Sequence, residues 1–520
     1  MTLSPLMAGS SSLSSSLSSS SSLSPAGEGE GAGLLWSPLV LRCGSVLAGR
    51  VVKAAMTEGV GDAWGHATEA HVRLYGRWAA GGACGVLVTG NVMVDRGHVE
   101  RPGNVCVVAG DAGGREALRA WAEGVRVASG GRTQLWMQVS HPGRQAHATV
   151  NGCPRAAGSV PMAQPWLLRA TCMYATEVAA MSAAEVERTA DAMAHAASEA
   201  KRAGFGGVQV HCAHGYLLSS FLNPSANDRG EGDPFGGAGV GRRAAALRLA
   251  VARVKQAVGG DGFAVSVKLN SEDFVRNGLS VEDSVEVAML LDADGVDVLE
   301  VSGGNYEAAD FFRRDAVGPT DIRRTRREAY YHDYCAALRA KLAARPRAAG
   351  DVGMRLMLTG GFRTRLGMEA ALASGDVDLV GVARPMVEDP RCIERLHSGE
   401  VQALPRPERG LRVAPDWLER AAPSVRVLST MAAPIAWFYA RIYQLAGVTW
   451  HGIGPGKPSP PSALLCVLWL IINEVLCARR LRGVWRSDVR PRWPWHHFIP
   501  PDDARGRGSA PPLLPSKDAR

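Results

Sequence analysis

The stretch SAAEVERTADAMAHAASEAKRAGFGGVQVHC, residues 182–212, contains the two elements from which most of this chain is built. Residues Ser182–Ala203 carry apolar side chains at spacings of three and four, which predicts an amphipathic helix. A glycine-rich turn follows, and GVQVHC (207–212) is a short apolar run typical of a buried strand. The stretch therefore predicts a helix that returns to a strand in an α/β fold.

The same alternation recurs between Leu34 and Pro390, with further helical patterns at Val281–Leu291 and Arg326–Ala344. Eight strands alternating with helices predict a (β/α)8 TIM barrel, which we place at residues 34–400. An open doubly wound sheet is the rival, but no strand–GxGxxG–helix unit occurs. The predicted strands cover residues 50–55, 85–90, 133–139, 207–212, 264–269, 296–302, 355–360 and 378–383.

The two ends of the chain depart from this alternation. Residues 1–33 include a serine-rich run, which indicates either a disordered leader or an organelle transit segment. Residues 401–498 predict a helical extension rich in tryptophan and arginine, and residues 499–520 predict a disordered tail.

The extension contains an apolar segment at residues 463–478, for which three interpretations remain open. The first is a helix that is buried or faces a second copy in a homo-oligomer, and the second is an interfacial anchor. The third is a full membrane span, for which the segment is short. The arginines and tryptophans that follow would suit lipid headgroups, so residues 463–497 are a candidate for peripheral membrane contact.

Charge and cysteine content exclude some classes of protein. The chain has a net charge of +8, but residues 405–520 hold 17 Lys and Arg against 8 Asp and Glu, so the remainder is close to neutral. This distribution argues against a protein that binds nucleic acid over its whole surface. The 10 cysteines include no CxxC pair and are typical of reduced thiols in an intracellular protein, for which we expect a cytoplasmic location.

Catalytic groups of a barrel stand at the carboxyl ends of its strands, and His211, His214 and Tyr216 follow the fourth predicted strand. Two imidazoles three residues apart suit either a metal or the oxygen of a carbonyl or enolate. No third metal ligand lies nearby, and neutral imidazole N–H groups are suited to an oxyanion hole. Tyr216 would then supply a phenolic proton to a carbanion. Two buried structural histidines are the alternative.

Other strand ends carry polar groups that suit a flat, phosphorylated ligand. Lys268 follows the fifth strand within an apolar run, so we expect a buried partner for it. The amide of Gln138 suits the edge of a heteroaromatic ring. Gly360 and Gly361 after strand seven, with Arg384 after strand eight, are typical of a barrel's phosphate site.

Taken together, these stretches resemble the Old Yellow Enzyme family, the FMN-dependent NADH:flavin oxidoreductases with a (β/α)8 barrel. The resemblance covers roughly residues 39–390 and includes seven motifs in the family order. They are VKAAMTE (52–58), LVTGNVMVD (87–95), MQVSHPGRQ (137–145), VQVHCAHGYLLSSFLNPSANDR (208–229), KLNSEDF (268–274), LEVSGGNYE (299–307) and LTGGFR (358–363) with VGVARPMVEDP (380–390).

The resemblance implies FMN as cofactor and NAD(P)H as co-substrate. It places Thr57 near the flavin carbonyl edge and Lys268 near the N1–C2 carbonyl side, where negative charge builds on reduction. The family more often has arginine at the position of Lys268. The implied contacts of the flavin are Ala55, Met56, Thr57, Gly90, Gln138 and Lys268, and those of its phosphate are Gly360, Gly361, Ala383 and Arg384.

In the same way, the resemblance assigns His211 and His214 to the substrate oxygen and Tyr216 to proton donation. It predicts an ene reductase that reduces electron-poor alkenes, α,β-unsaturated carbonyl or nitro compounds, or quinone-like acceptors, by ping-pong transfer through FMN. Two alternatives remain open. One is the same flavin barrel acting on a specialised metabolite by demethylation or another redox step. The other is a flavin-free scaffold anchored to a membrane.

Overall fold

The structure, a computed structural model, describes residues 33–148, 150–163, 174–304, 307, 328–406, 411, 417, 421 and 433–448. These residues lie in one compact unit of the chain, Gly33–Arg520. The predicted leader apart from Gly33, the apolar segment 463–478 and the predicted tail all lie outside the described residues.

Eight parallel strands form a closed barrel in the order in which they occur along the chain. The last strand pairs with the first, and the first pairs with the second, so the ring is complete. The predicted barrel is therefore confirmed, and the strand ends differ from the predicted ones by at most three residues. The strands are β1 (Val51–Lys53), β2 (Val86–Met93), β3 (Gln134–Ser140), β4 (Gly207–Cys212), β5 (Ala264–Asn270), β6 (Val298–Ser302), β7 (Arg355–Thr359) and β8 (Leu379–Val382).

Helices connect successive strands. The longest begins with a capping box, in which the Ser182 side chain accepts from the Glu185 N–H and Glu185 accepts from the Ser182 N–H, and ends at Gly204 with φ +92°. The helices are α1 (Glu69–Ala79), α2 (Ala112–Ala128), α3 (Ala183–Ala203), α4 (Ala245–Val258), α5 (Val281–Ala293), α6 (His332–Ala343), α7 (Arg365–Ala373), α8 (Cys392–His397) and α9 (Ala433–Leu445).

Shorter elements occupy the loops. Val105–Cys106 pairs with the end of β2, and two further strand pairs lie outside the barrel sheet. These pairs are Leu39–Val40 with Val46–Leu47 and Arg155–Ala156 with Ala179–Ala180. Short helical turns are Leu34–Trp36, Ala80–Gly82, Gly143–Gln145, Leu217–Leu222, Val240–Arg243 and Arg384–Glu388.

One predicted helix begins later than expected. The periodicity predicts a helix from Arg326, but α6 begins at His332 and the described residues just before it are not helical. The reason is that Glu328 is held elsewhere, since its carboxylate accepts the backbone N–H groups of Arg363 and Thr364 at 3.1 and 3.0 Å.

The barrel interior has an apolar half and a polar half. Leu39, Leu41 and Leu47 of the N-terminal hairpin pack with inward-facing strand residues such as Trp136 and Met357 in one buried cluster. Nearer the carboxyl ends, the strand register aligns polar residues instead. Gln138 pairs with Gln209, and Lys268 pairs with both His211 and Glu300. The polar half thus faces the end where a barrel carries its active site.

The predicted C-terminal extension contains one described helix, α9, which packs on the barrel domain. Ile442 and Tyr443 are buried in the main core, and the Tyr443 hydroxyl donates to the carbonyl of Gly59 at 3.0 Å. The Arg441 guanidinium donates to the carbonyl of Glu388 at 3.1 Å. Helix α9 therefore contacts both the loop after β1 and the short helix after β8.

Among the residues described, no helix combines the length and the apolar character needed to cross a membrane. The segment 463–478, for which a span was one of three interpretations, is not among them.

Ile442→Ala tests how firmly α9 is attached. Ile442 is 2% exposed, and removing three carbons from a packed core site usually costs about 2–4 kcal/mol. We expect the free energy of unfolding in urea to fall by that amount. The control is Leu366→Ala on α7, where the side chain is 81% exposed and little change is expected. Equal stability of the two variants would show that α9 does not belong to the cooperative core.

Candidate active site

A sharp turn after β4 brings two imidazoles and a phenol together. His214 has φ +61° and Gly215 φ +81°, so the chain reverses directly after the strand. The ring centroids of His211 and His214 lie 5.4 Å apart at an interplanar angle of 85°. The Tyr216 ring lies 4.7 Å from that of His211. The three residues predicted to be catalytic therefore form one cluster, and left-handed backbone at a non-glycine residue is typical of functional sites.

Both imidazoles in this cluster are neutral. Burial lowers the pKa of His211 and of His214 well below 6.5, and the nearby Lys268 cation lowers both further. The backbone N–H of Ala213 donates to Nδ1 of His211 at 3.3 Å, which leaves its Nε2 as the protonated nitrogen. His211 can therefore donate a hydrogen bond to a ligand oxygen without carrying a charge.

Two residues from neighbouring strands hold this turn in place. Nε2 of His214 lies 2.9 Å from Oγ of Ser302 at the end of β6. The side-chain oxygen of Asn270, at the end of β5, accepts the backbone N–H of His214 at 3.3 Å. The Asn270 amide in turn donates to Asp273 at 2.8 Å and to the carbonyl of Gly304 at 2.9 Å. Neither Ser302 nor Asn270 was predicted to be functional, although both stand where a barrel carries functional groups.

A chain of polar side chains crosses the barrel beneath this turn. Gln138 donates to Gln209 at 2.8 Å, and Gln209 donates to one oxygen of Glu300 at 2.8 Å. The other oxygen of Glu300 forms an ion pair with Nζ of Lys268 at 2.8 Å. Glu300 is thus the buried partner that the apolar surroundings of Lys268 predicted. Gln138 and Lys268, both predicted to contact the flavin, are the two ends of this chain.

The loop after β1 carries Ala55, Met56 and Thr57 and lies against β2. A side-chain carbon added at Gly90 would come within 2.5 Å of the Met56 carbonyl and 2.6 Å of the Thr57 Cα. The Gly90 N–H also donates to a carboxylate oxygen of Glu58 at 2.8 Å. A glycine at this position therefore lets the loop and the strand touch.

Glu100 joins the same loop to β2. The Thr57 hydroxyl donates to Oε2 of Glu100 at 2.9 Å, and the Asn91 amide donates to the same oxygen at 2.7 Å. The structure therefore places a carboxylate beside Thr57, which sequence analysis did not foresee.

The predicted phosphate-binding residues follow the adjacent strands β7 and β8, where Thr359 pairs with Gly381. Gly360 and Gly361 have φ values of +153° and +79°, so both lie in the region that favours glycine. Ala383 and Arg384 begin the short helix after β8. Two glycines and an arginine at neighbouring strand ends supply backbone N–H groups and a cation, which together suit a phosphate.

The arrangement of donors fits FMN. The Thr359 hydroxyl is buried and has no hydrogen-bond partner, so a polar group remains to be satisfied beside the glycine pair. Amide and ammonium groups of Gln138 and Lys268 suit the oxygen and nitrogen edge of an isoalloxazine ring. The ring of Tyr330 lies against the glycine pair, since a carbon added at Gly361 would meet it at 2.7 Å.

In the described part of the chain, one group of side chains could bind a metal ion, and it lies outside the cluster of His211, His214 and Tyr216. Ligand atoms of Asp95, His98 and His141 lie within 4.8 Å of one another. However, Nδ1 of His98 is 2.7 Å from Asp95, and its Nε2 accepts the backbone N–H of Arg155 at 3.0 Å. A metal on Nδ1 would force a proton onto Nε2, which faces a donor. The geometry therefore favours a structural hydrogen-bond network at this position.

Comparisons of the sequence agree on one family. A sequence model of the NADH:flavin oxidoreductase / NADH oxidase family matches residues 35–402. The NADH-dependent flavin oxidoreductase iliE of Hypocrea jecorina (strain QM6a) is 33% identical over 363 residues, which cover 68% of this chain and 86% of that protein. The protein of the same name from Neonectria sp. (strain DH2) is 34% identical over 370 residues, or 68% of this chain, which spans 45% of that relative's length.

Solved structures show the same fold. The 2-naphthoyl-CoA reductase in complex with 2-naphthoyl-CoA has a TM-score of 0.60 at 20% identity, covering 71% of this chain and 53% of that one. Morphinone reductase has a TM-score of 0.56 at 19% identity, covering 72% of this chain and 92% of that one. At these identities the likeness establishes the barrel.

Gly90→Ala tests the contact between β2 and the loop after β1, which is predicted to contact the flavin. The added methyl group would lie 2.3 Å from Oε2 of Glu58 and would displace the loop. We expect FMN binding, measured by quenching of flavin fluorescence, to weaken at least about tenfold, or about 1.4 kcal/mol. The control is Gly260→Ala, whose methyl group would meet nothing within 4 Å. Full FMN affinity in Gly90→Ala would contradict this placement of the loop.

The lowered pKa values of His211 and His214 predict that these two residues make the free energy of unfolding sensitive to acid. Imidazoles of the unfolded chain accept protons near pH 6.5, whereas His211 and His214 in the folded chain do so only well below it. At these two residues the unfolded state therefore binds more protons, so their contribution to the free energy of unfolding falls as the pH drops below about 6.5. His211→Asn should make this decline shallower by up to about one proton. Urea unfolding between pH 8 and 5 measures both slopes, and identical slopes would contradict the burial of a neutral imidazole.

Proposed function

Since the chain belongs to the NADH:flavin oxidoreductase / NADH oxidase family and is therefore an FMN-dependent NAD(P)H oxidoreductase, we propose that it reduces electron-poor C=C bonds. The substrate class is α,β-unsaturated carbonyl or nitro compounds. The observation that carries this proposal is the cluster of two neutral imidazoles beside Tyr216 at the carboxyl end of β4.

Residues on six strand ends would hold the cofactor. Ala55, Met56, Thr57, Gly90, Gln138 and Lys268 would contact the flavin ring, and Gly360, Gly361, Ala383 and Arg384 its phosphate. When bound, FMN supplies the two-electron relay between NAD(P)H and the substrate. Because NAD(P)H and the alkene would both react at this one cofactor, the nucleotide leaves before the alkene enters, which gives ping-pong kinetics.

The imidazoles bind and polarise the substrate. Nε2–H of His211 donates to the carbonyl or nitro oxygen, and the neutral ring of His214, whose Nε2 contacts Ser302, would stand beside the same oxygen. Neutral donors stabilise the negative charge that develops on this oxygen without forming a tight ion pair with the product. The contact of Nε2 of His214 with Ser302, and the hydrogen bond that the His214 N–H donates to Asn270, hold the turn and so fix the direction of the His214 ring.

Tyr216 completes the reaction. A hydride added to the β-carbon leaves negative charge shared between the α-carbon and the bound oxygen. The Tyr216 hydroxyl donates its proton to the α-carbon, so the double bond becomes a single bond with one hydride and one proton added. A phenol suits this step because it keeps its proton at neutral pH until a carbanion forms.

The first experiment is an anaerobic absorbance titration of the full-length protein with NADH and NADPH. A flavin band that bleaches, and that returns on addition of 2-cyclohexenone or a nitroalkene, supports the proposal. A band that bleaches but returns only with oxygen or a quinone would overturn alkene reduction. A colourless protein that stays colourless after incubation with FMN would favour the scaffold alternative.

Tyr216→Phe separates proton donation from binding. We expect the rate of flavin reoxidation by 2-cyclohexenone to fall about 10²–10⁴-fold, the usual contribution of a positioned general acid. Flavin reduction by NADH should stay within about twofold of wild type, because no carbanion is protonated in that half-reaction. Stopped-flow absorbance measures each half-reaction separately.

His214→Ala is the companion variant. It should weaken the binding of phenolic ligands and slow the alkene half-reaction, while flavin reduction by NADH persists. An equal loss in both half-reactions would count against the assigned role of the histidine pair.

A further inference from the structure

We propose that Glu300 is a positioning residue that lowers the reduction potential of the bound flavin by neutralising Lys268 and by orienting Gln138. The inference rests on the proposed placement of FMN beside these two residues. It concerns the electronic tuning of the site and is independent of which substrate accepts the electrons.

The geometry of Glu300 is that of a buried hub. It is 0% exposed, and each of its carboxylate oxygens lies beside a polar side chain, although only Oε2 accepts a hydrogen bond. Lys268 Nζ lies 2.8 Å from Oε1, and Gln209 Nε2 donates to Oε2 at 2.8 Å. Gln209 then accepts from Gln138 at 2.8 Å. Four strands, β3 to β6, each contribute one side chain, so the chain of contacts is fixed by the barrel itself.

The carboxylate also fixes the direction of both amides. An ionised carboxylate only accepts hydrogen bonds, so Gln209 must turn its NH2 group towards Glu300. The Gln209 carbonyl oxygen then faces Gln138, which must offer its own NH2 group in return. The side-chain amide of Gln138 therefore faces a flat ligand in one fixed orientation instead of in either of its two flipped orientations.

Charge is the second effect of Glu300. A lone ammonium group beside the flavin would stabilise the negative charge that accumulates on reduction and would raise the potential. A carboxylate 2.8 Å from that ammonium group cancels most of its field at the ring. The effect is large in a buried site, because the effective dielectric constant there is far below that of water. With Glu300 in place, the flavin is a stronger reductant than it would be beside a lone Lys268.

Glu300→Gln tests this inference, because it removes the charge and retains the shape. The potential of bound FMN is measured by anaerobic equilibration with a reference dye, and the affinity for sulfite, which also adds negative charge to the ring, by absorbance. We expect sulfite to bind at least about tenfold more tightly. We also expect the equilibrium ratio of reduced to oxidised flavin to rise at least about tenfold. The second change equals about 30 mV upward for a two-electron couple.

The matched control is Glu123→Gln on α2. Glu123 is a solvent-exposed carboxylate that pairs with Arg126 and has no part in the site. It should leave both the potential and the sulfite affinity unchanged. If Glu300→Gln retains FMN and also leaves both unchanged, the inference is wrong.

A second pair of variants covers the case in which Glu300→Gln loses FMN. Lys268→Met removes the ion-pair partner of Glu300 and leaves Lys53 as the cation that still interacts with it, and Lys268→Met/Glu300→Gln has neither charge of the pair. We expect the potential of the double variant to lie above that of Lys268→Met, and equal potentials would overturn the inference. A wild-type protein that neither binds FMN nor is reduced by NADH would overturn the proposed function instead.

Discussion

Closure of the sheet between β1 and β2 is the constraint on which the rest of the structure depends. A parallel sheet of this size would otherwise expose two unpaired edges, and ring closure satisfies both. Closure also brings every strand end to one rim. Thr57, which follows β1, and Arg384, which follows β8, come from opposite ends of the domain but stand at the ends of paired strands.

The barrel interior shows how a buried polar layer is tolerated. Gln138, Gln209, Glu300 and Lys268 lie inside a fold whose other interior residues are mostly apolar, and an unpaired member would cost several kilocalories per mole. Each has a partner within the layer. Lys268 of this layer is paired in register with His211, so fixed dipoles and charges beside the imidazole cluster act on a bound ligand without first having to reorganise.

The fold and part of the site could be predicted from sequence for a physical reason. Each β-strand is a local apolar run, and His211, His214 and Tyr216 lie close together in sequence at the end of β4, so their convergence needs no long-range information. Ser302, Asn270 and Glu300 were not predicted, because their contacts depend on the register between strands far apart in sequence. The start of α6 was misplaced for the same reason, since Glu328 is drawn to the backbone of Arg363 and Thr364.

Helix α9 bears on the order of events during biosynthesis. Its side chains donate hydrogen bonds to the carbonyls of Gly59 and Glu388, which lie near the loops after β1 and β8. However, α9 is translated after every barrel strand. Domains begin to fold while the chain is still being synthesised, so the barrel can close before this helix has left the ribosome. The nascent chain would then pass through a stage in which the barrel is complete but the contacts of α9 with Gly59 and Glu388 have not yet formed.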